Sequence, residues 1–193
     1  KKWQSMQREL GGMIDRADIL FRSLMTLYAP VKKAEPFKLG PTSIEQVVKG
    51  ILDNVNRISA RKSVSVLAKI EEDVVVMVNR DLLLVVLLNL LDNAIKYSLP
   101  GQSVELEFSI EPQTVIVRVI DHGQGISYKA LKNMMEGVWG ETESGTMGER
   151  GPGIGLFATR RFLYQMNSEL VFCSLRDGGT VAMCALVRYQ GIR

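Results

Sequence analysis

The segment DLLLVVLLNLLDNAIKYS, residues 81–98, restricts the fold more than any other stretch of this chain. Asn89 and Asp92 interrupt its apolar run, which is too short to span a bilayer. Asn79 or Asp81 supplies a helix start signal in front of it. A helix this rich in leucine and valine has to be covered by other elements of the protein. Asn89, Asn93 and Lys96 follow one another at spacings of four and three, so they share one face, and the leucines occupy the opposite one. Two amides and an ammonium along one stripe make either a solvated face or a polar site. Neutral amide oxygens can ligate Mg²⁺ and leave its charge for phosphates.

The elements around this helix are legible in outline. Thr42 or Ser43 caps an earlier helix, with Glu45 in its first turn and Ile44, Val47, Val48, Ile51, Leu52 and Val55 facing inward. VSVLAKI and VVVMV are strand-like, rich in β-branched residues. VELEFSI and TVIVRVI alternate in polarity and are joined by a short EPQ turn. LVFCSL and VAMCALV close the chain as a hairpin around RDGGT. YKALKNMM reads as a short helix, and LFATRRFLYQM as a longer one with Leu156, Phe157, Phe162, Leu163 and Met166 at helical spacing. The mixed order, with three antiparallel pairings, points to a two-layer α+β sandwich in which helices cover one face of a mostly antiparallel sheet.

Before this layer, residues 3–29 form one amphipathic helix with Leu10, Met13, Ile14, Ala17, Leu20, Phe21, Leu24 and Leu27 in a stripe. The stripe can seat a partner helix or dock on the rest of the chain. APVKKAEPFKLGP holds three prolines and reads as a linker, with a boundary that separates residues 1–32 from 33–193. The chain begins with Lys1 rather than Met, and is read as a piece of a longer protein. No signal peptide is visible. The net charge of +3 on 193 residues, without a dense Lys/Arg run, does not call for nucleic acid. Cys173 and Cys184 read as reduced, buried thiols of a cytoplasmic protein; if Gly178 and Gly179 form the turn, they face each other across the ladder.

Three further features surround the polar helix face. GERGPGIGL, residues 148–156, places glycines ahead of a helix, where free N–H groups and the positive dipole end suit an anion; a plain helix start is the alternative. It lacks the Gly-Lys-Ser/Thr ending of a P-loop. DHGQGIS follows a strand directly. Asp121 there can accept from an exocyclic amine, with Gly123 and Gly125 letting a flat ring approach the backbone, or the stretch is an ordinary turn. DGGT, residues 177–180, is by itself a hairpin turn.

In this order and spacing, NLLDNAIKYS resembles the N box, and DHGQG, GPGIGL and GGT resemble the first, second and third glycine boxes, of the Bergerat-fold ATPases. The resemblance covers roughly residues 37–187. It implies a Bergerat ATP-binding fold with ATP and Mg²⁺ as cofactors. Asn93 would hold the metal, with Asn89 supporting it, and Lys96 would touch phosphate. Asn93 and Lys96 would be the catalytic pair. Tyr97 would pack near adenine or ribose. Asp121 would accept from the adenine amino group, with Gly123, Gly125 and Ile126 shaping the floor. Gly151, Gly153, Ile154, Gly155 and Leu156 would lie at the phosphates, Arg150 would reach the γ-phosphate, and Thr180 would support the base. Two features depart from the family. LKNMMEGVWGETESG stands where a phenylalanine-rich box is usual, and Pro152 removes one amide donor from the second glycine box.

Members of this superfamily that hydrolyse ATP carry a glutamate where this chain has Asn89. An amide is no general base, so transfer to another acceptor is expected instead of hydrolysis. AIKYS and the helix at residues 3–29 resemble a sensor histidine kinase, the latter the second helix of its dimerisation and phosphoacceptor hairpin. The resemblance implies γ-phosphoryl transfer to a histidine outside this chain, relay to a response-regulator receiver domain, and a homodimer through the N-terminal helix. It implies a location in the cytoplasmic portion of a sensor, with no membrane contact by this piece. The sole histidine, His122, is a loop residue and no phosphoacceptor. The rival readings are an ATP-binding interaction module, an anti-sigma-type protein-serine kinase, and a gyrase-like or chaperone-like ATPase.

Overall fold

The computed structural model describes residues 37–70, 72–136, 145–148 and 154–191. The helix expected over residues 3–29, and the boundary near residue 33, lie outside them.

The first element is β1 (Gly40–Ser43), whose Gly40 and Pro41 the sequence reads as the end of a linker. Gly40 and Pro41 pair antiparallel with Val78 and Met77 of β3 (Val75–Val78). Proline is tolerated there because β1 is an edge strand, with β3 as its one neighbour. Helix α1 (Ile44–Lys62) follows at once. Ser43 is its cap: the hydroxyl accepts from Gln46 N–H, in extended backbone. Ser63 stops the helix in the left-handed region at φ 56.

Helix α2 (Arg80–Tyr97) is capped by Asn79, whose Oδ1 accepts from Leu82 N–H at 3.1 Å. Leu83, Val86 and Leu87 are fully enclosed and Leu91 nearly so. Their cover comes from α1 on one side, α4 (Ile154–Gln165) on another, and the sheet beneath. The five-stranded sheet runs β2–β4–β5–β7–β6, with β2 (Ser65–Lys69), β4 (Ser103–Ile110), β5 (Thr114–Asp121), β6 (Val171–Ser174) and β7 (Thr180–Val187). Strand β2 pairs parallel with β4, and every other pair in this sheet is antiparallel. Inward residues alternate along the central strands: Val104, Leu106 and Phe108; Val115, Val117 and Val119; Ala182, Cys184 and Leu186. The outward positions include Glu105, Glu107 and Arg118. This is the helix-on-sheet α+β sandwich expected, and a short helix, α3 (Tyr128–Glu136), lies between β5 and α4.

The expected pairing of the two cysteines and the burial of Cys173 are overturned. The β6–β7 connection is Leu175–Gly179 and pairs Ser174 with Thr180, so Cys173 lies opposite Val181 instead of Cys184. Leu175 N–H donates to Gly179 O at 3.1 Å, which closes a wider loop than two glycines would make. Alternation then turns Cys173 out to solvent and Cys184 into the core; both are free thiols.

Candidate nucleotide site

The polar face of α2 forms as its spacing requires, but its members differ in engagement. The Asn89 amide Nδ2 lies 3.4 Å from both Gly155 O and Thr159 Oγ1, so it joins α2 to the first turns of α4. Thr159 is wholly buried, a polar residue on the apolar side of α4. The half-exposed Asn93 side chain has no hydrogen-bond partner among the described residues. Lys96 Nζ lies 3.2 Å from Tyr97 Oη and 4.8 Å from the centre of its ring, so ammonium and phenol stand together at the helix end.

Strand β5 delivers Asp121 as its last residue, on the inward face. Asp121 is 6% exposed, and its Oδ1 accepts from Gly123 N–H at 3.0 Å and Thr180 N–H at 3.2 Å. Burial pushes its pKa up, while the hydrogen bonds from Gly123 and Thr180 pull the other way. Thr180 is the ladder partner of Asp121, which explains how a motif 59 residues later reaches this carboxylate.

The glycines here are demanded by backbone contacts. A Cβ on Gly123 would lie 2.0 Å from Tyr97 O, so the first glycine loop is pressed on the end of α2. Gly179, at φ 101, would place a Cβ 2.1 Å from Asp121 O. Gly125 (φ 74) sits over Gly179, and Ile126 beyond it is half-buried. Gly155 is different: its Cβ would make an ordinary 3.7 Å contact with Asn89 Oδ1. Ile154 opens α4 and Leu156 is half-buried in its first turn. Arg150, Gly151, Pro152 and Gly153 lie outside the described residues.

Several residues that hold the site together were missed in the sequence. Gln102 bridges two loops, its Oε1 accepting from Leu99 N–H and its Nε2 donating to His122 O, both at 2.6 Å. Lys62, buried at the end of α1, donates to the Lys96 carbonyl. Thr146 binds the same carbonyl. Only Thr159 left a signal, a hydroxyl at a buried helical position. His122 is a loop residue, as expected; it is exposed and lies 3.4 Å from Glu105. Lys69 donates to Glu105 and Glu107 on the outer sheet face, which together with His122 holds the Glu105 carboxyl below its usual range.

An amino-bearing flat ring needs a buried acceptor, and Asp121 is one. Among the described residues no three His, Cys, Asp or Glu gather to cage a cation. A hard cation that keeps several waters and phosphate ligands needs only one or two protein oxygens, and the unengaged amide of Asn93 fits. No described helix is long and apolar enough to cross a membrane.

The chain is similar to known proteins in sequence and in fold. Residues 78–190 match the family model described as histidine kinase-, DNA gyrase B- and HSP90-like ATPase. The sensor protein KdpD of Clostridium acetobutylicum is 27% identical over 178 residues, covering 91% of this chain and 20% of KdpD. The swarming motility regulation sensor protein RssA of Serratia marcescens is 30% identical over 159 residues, covering 81% of this chain and 33% of RssA. The chain thus spans a fifth to a third of the sensor proteins it resembles. Among solved structures, the mycobacterial sensor histidine kinase MprB superposes with a TM-score of 0.63 at 21% identity, over 78% of this chain and 97% of that one. The catalytic domain of histidine kinase ThkA gives 0.67 at 15% identity, over 79% and 97%.

Proposed function

This chain belongs to the histidine kinase-, DNA gyrase B- and HSP90-like ATPases, and on that premise we propose that it binds Mg-ATP and transfers the γ-phosphoryl group to a histidine outside its own sequence, for relay to a response-regulator aspartate. Its relatives are sensor kinases, and it corresponds to their histidine kinase-type ATPase domain. In this reading Asp121 accepts from the adenine amino group, and Tyr97 packs near the base or ribose. Gly125 and Ile126 border the ring, and Thr180 holds the carboxylate in place. Asn93 lends its amide oxygen to the metal, and Lys96 reaches phosphate. The opening of α4, Ile154–Leu156, presents backbone N–H groups to an anion, and Gly151, Gly153 and Arg150 are proposed to serve the same phosphates. Mg²⁺, when bound, neutralises the phosphate oxygens. The protein's contribution is orientation and charge, not covalent chemistry. The helix at residues 3–29 would pair two chains.

The observation that carries transfer over hydrolysis is Asn89. A water-activating base is needed at that position for hydrolysis, and here an amide stands there with its nitrogen directed at Gly155 and Thr159.

The test uses the full-length protein with Mg²⁺ and γ-labelled ATP, and Asn93→Ala as control. Acid-labile, base-stable label on the wild type, absent from the variant, is expected. Nucleotide binding without label would move the assignment to an interaction module. Acid-stable label would indicate a serine kinase, and rapid phosphate release an ATPase.

A further inference from the structure

The end of α2 is where separate parts of the chain meet. The last carbonyls of a helix have no partner inside it and must find one elsewhere. In α2 they are shared among three segments. Lys96 O accepts from the Lys62 ammonium and from Thr146 N–H at 3.2 Å. Tyr97 O accepts from Gln124 N–H at 3.3 Å. Ser98 O accepts from the Thr146 hydroxyl at 2.6 Å, which also lies 3.3 Å from Lys96 O. Thr146 is presented by a tight turn: Gly148 N–H donates to Gly145 O at 2.9 Å, Gly148 is at φ 79, and Gly145 is buried. Its target is buried too, since Ser98 is wholly enclosed and its own hydroxyl is spent on Ala94 O at 2.8 Å. Thr146 therefore uses both of its donors on carbonyls some fifty residues away, those of Lys96 and Ser98, which flank Tyr97 in the chain.

We propose that Thr146 is a positioning residue for nucleotide binding: its hydroxyl and amide hold the end of α2, and through it the Lys96–Tyr97 pair, in the geometry that receives the ligand. Valine at 146 keeps the size and the backbone N–H but leaves the Ser98 carbonyl without its donor. Serine restores the donor. The proposal rests on the nucleotide-binding reading above.

The test measures binding of the β,γ-imido analogue of ATP with Mg²⁺ by calorimetry, for the wild-type chain, Thr146→Val and Thr146→Ser, together with melting temperatures without nucleotide. For Thr146→Val the expected weakening is about three- to tenfold, one hydrogen bond at tenfold per about 1.4 kcal/mol. Thr146→Ser should bind within about twofold of wild type, since the hydroxyl is retained. The ligand-free melting temperature of Thr146→Val should fall by no more than about 12 °C, the cost of about 1–3 kcal/mol for a buried carbonyl left without its donor at about 2–4 °C per kcal/mol. Wild-type affinity in Thr146→Val, or no recovery in Thr146→Ser, overturns the proposal. So does a larger melting shift, because the residue would then be structural only. A folded wild type that binds no nucleotide overturns the nucleotide reading itself, and the proposal with it.

Discussion

Gly123 and Gly155 both belong to glycine motifs, yet alanine should act oppositely at the two. At Gly123 the added methyl would stand 2.0 Å from Tyr97 O and 2.6 Å from Tyr97 C. Both groups in conflict are main chain, so no rotamer relieves the overlap. Either the loop after β5 or the end of α2 has to move by more than an ångström. Overpacking costs about 1–3 kcal/mol when side chains can yield. A main-chain conflict belongs at the top of that range, about 3 kcal/mol. At about 2–4 °C per kcal/mol, Gly123→Ala should melt about 6–12 °C below wild type. It should also lose nucleotide, because Gly123 N–H holds Asp121 Oδ1. At Gly155 the methyl meets Asn89 Oδ1 at 3.7 Å, an ordinary contact, in a helical backbone. Replacing a helical glycine there should be neutral or stabilising by up to about 1 kcal/mol. Circular-dichroism melts of both variants provide the comparison. A Gly123→Ala protein that melts within about 2 °C of wild type would refute the argument that this glycine is held by the end of α2.

Other consequences concern charge, thiols and core. Burial raises the Asp121 carboxyl above its ordinary 3.8, so the folded state holds this proton more tightly than the unfolded one. That contribution to stability is complete below the unfolded value and is lost as pH rises through the folded one. The melting temperature of Asp121→Asn should therefore gain on wild type as the pH rises above the ordinary carboxyl value, and a constant difference would count against the burial argument. Cys173 is exposed, whereas burial pushes the Cys184 thiol up to about 12. A maleimide should therefore modify one cysteine in the native protein and the second only after denaturation, as mass spectrometry would show. Leu87→Ala, at a fully enclosed site on α2, should cost about 2–5 kcal/mol in a urea titration.

What this chain's sequence determined by itself is local. Asn79 and Ser43 announce their helices because a cap is a contact between a side chain and an amide three residues on. The shared face of Asn89, Asn93 and Lys96 follows from helical spacing, and the in–out alternation of β4 and β5 from the pleat. Asp121 at a strand end, ahead of two glycines, was legible for the same reason. The tertiary structure decided what depends on partners far away in the chain. It made the β2–β4 pair parallel and turned Gly40 and Pro41 from linker into an edge strand. It widened the β6–β7 loop, so that Cys173 and Cys184 part company. It aimed Asn89 at α4, and it brought Thr146, Gln102 and Lys62 to carbonyls that no motif marks. It also showed why Gly123 and Gly179 must be glycine: each lies against the backbone of another element, at Tyr97 and at Asp121. A periodicity is written in neighbouring residues. The close approach of two backbones is written only in how the layers pack.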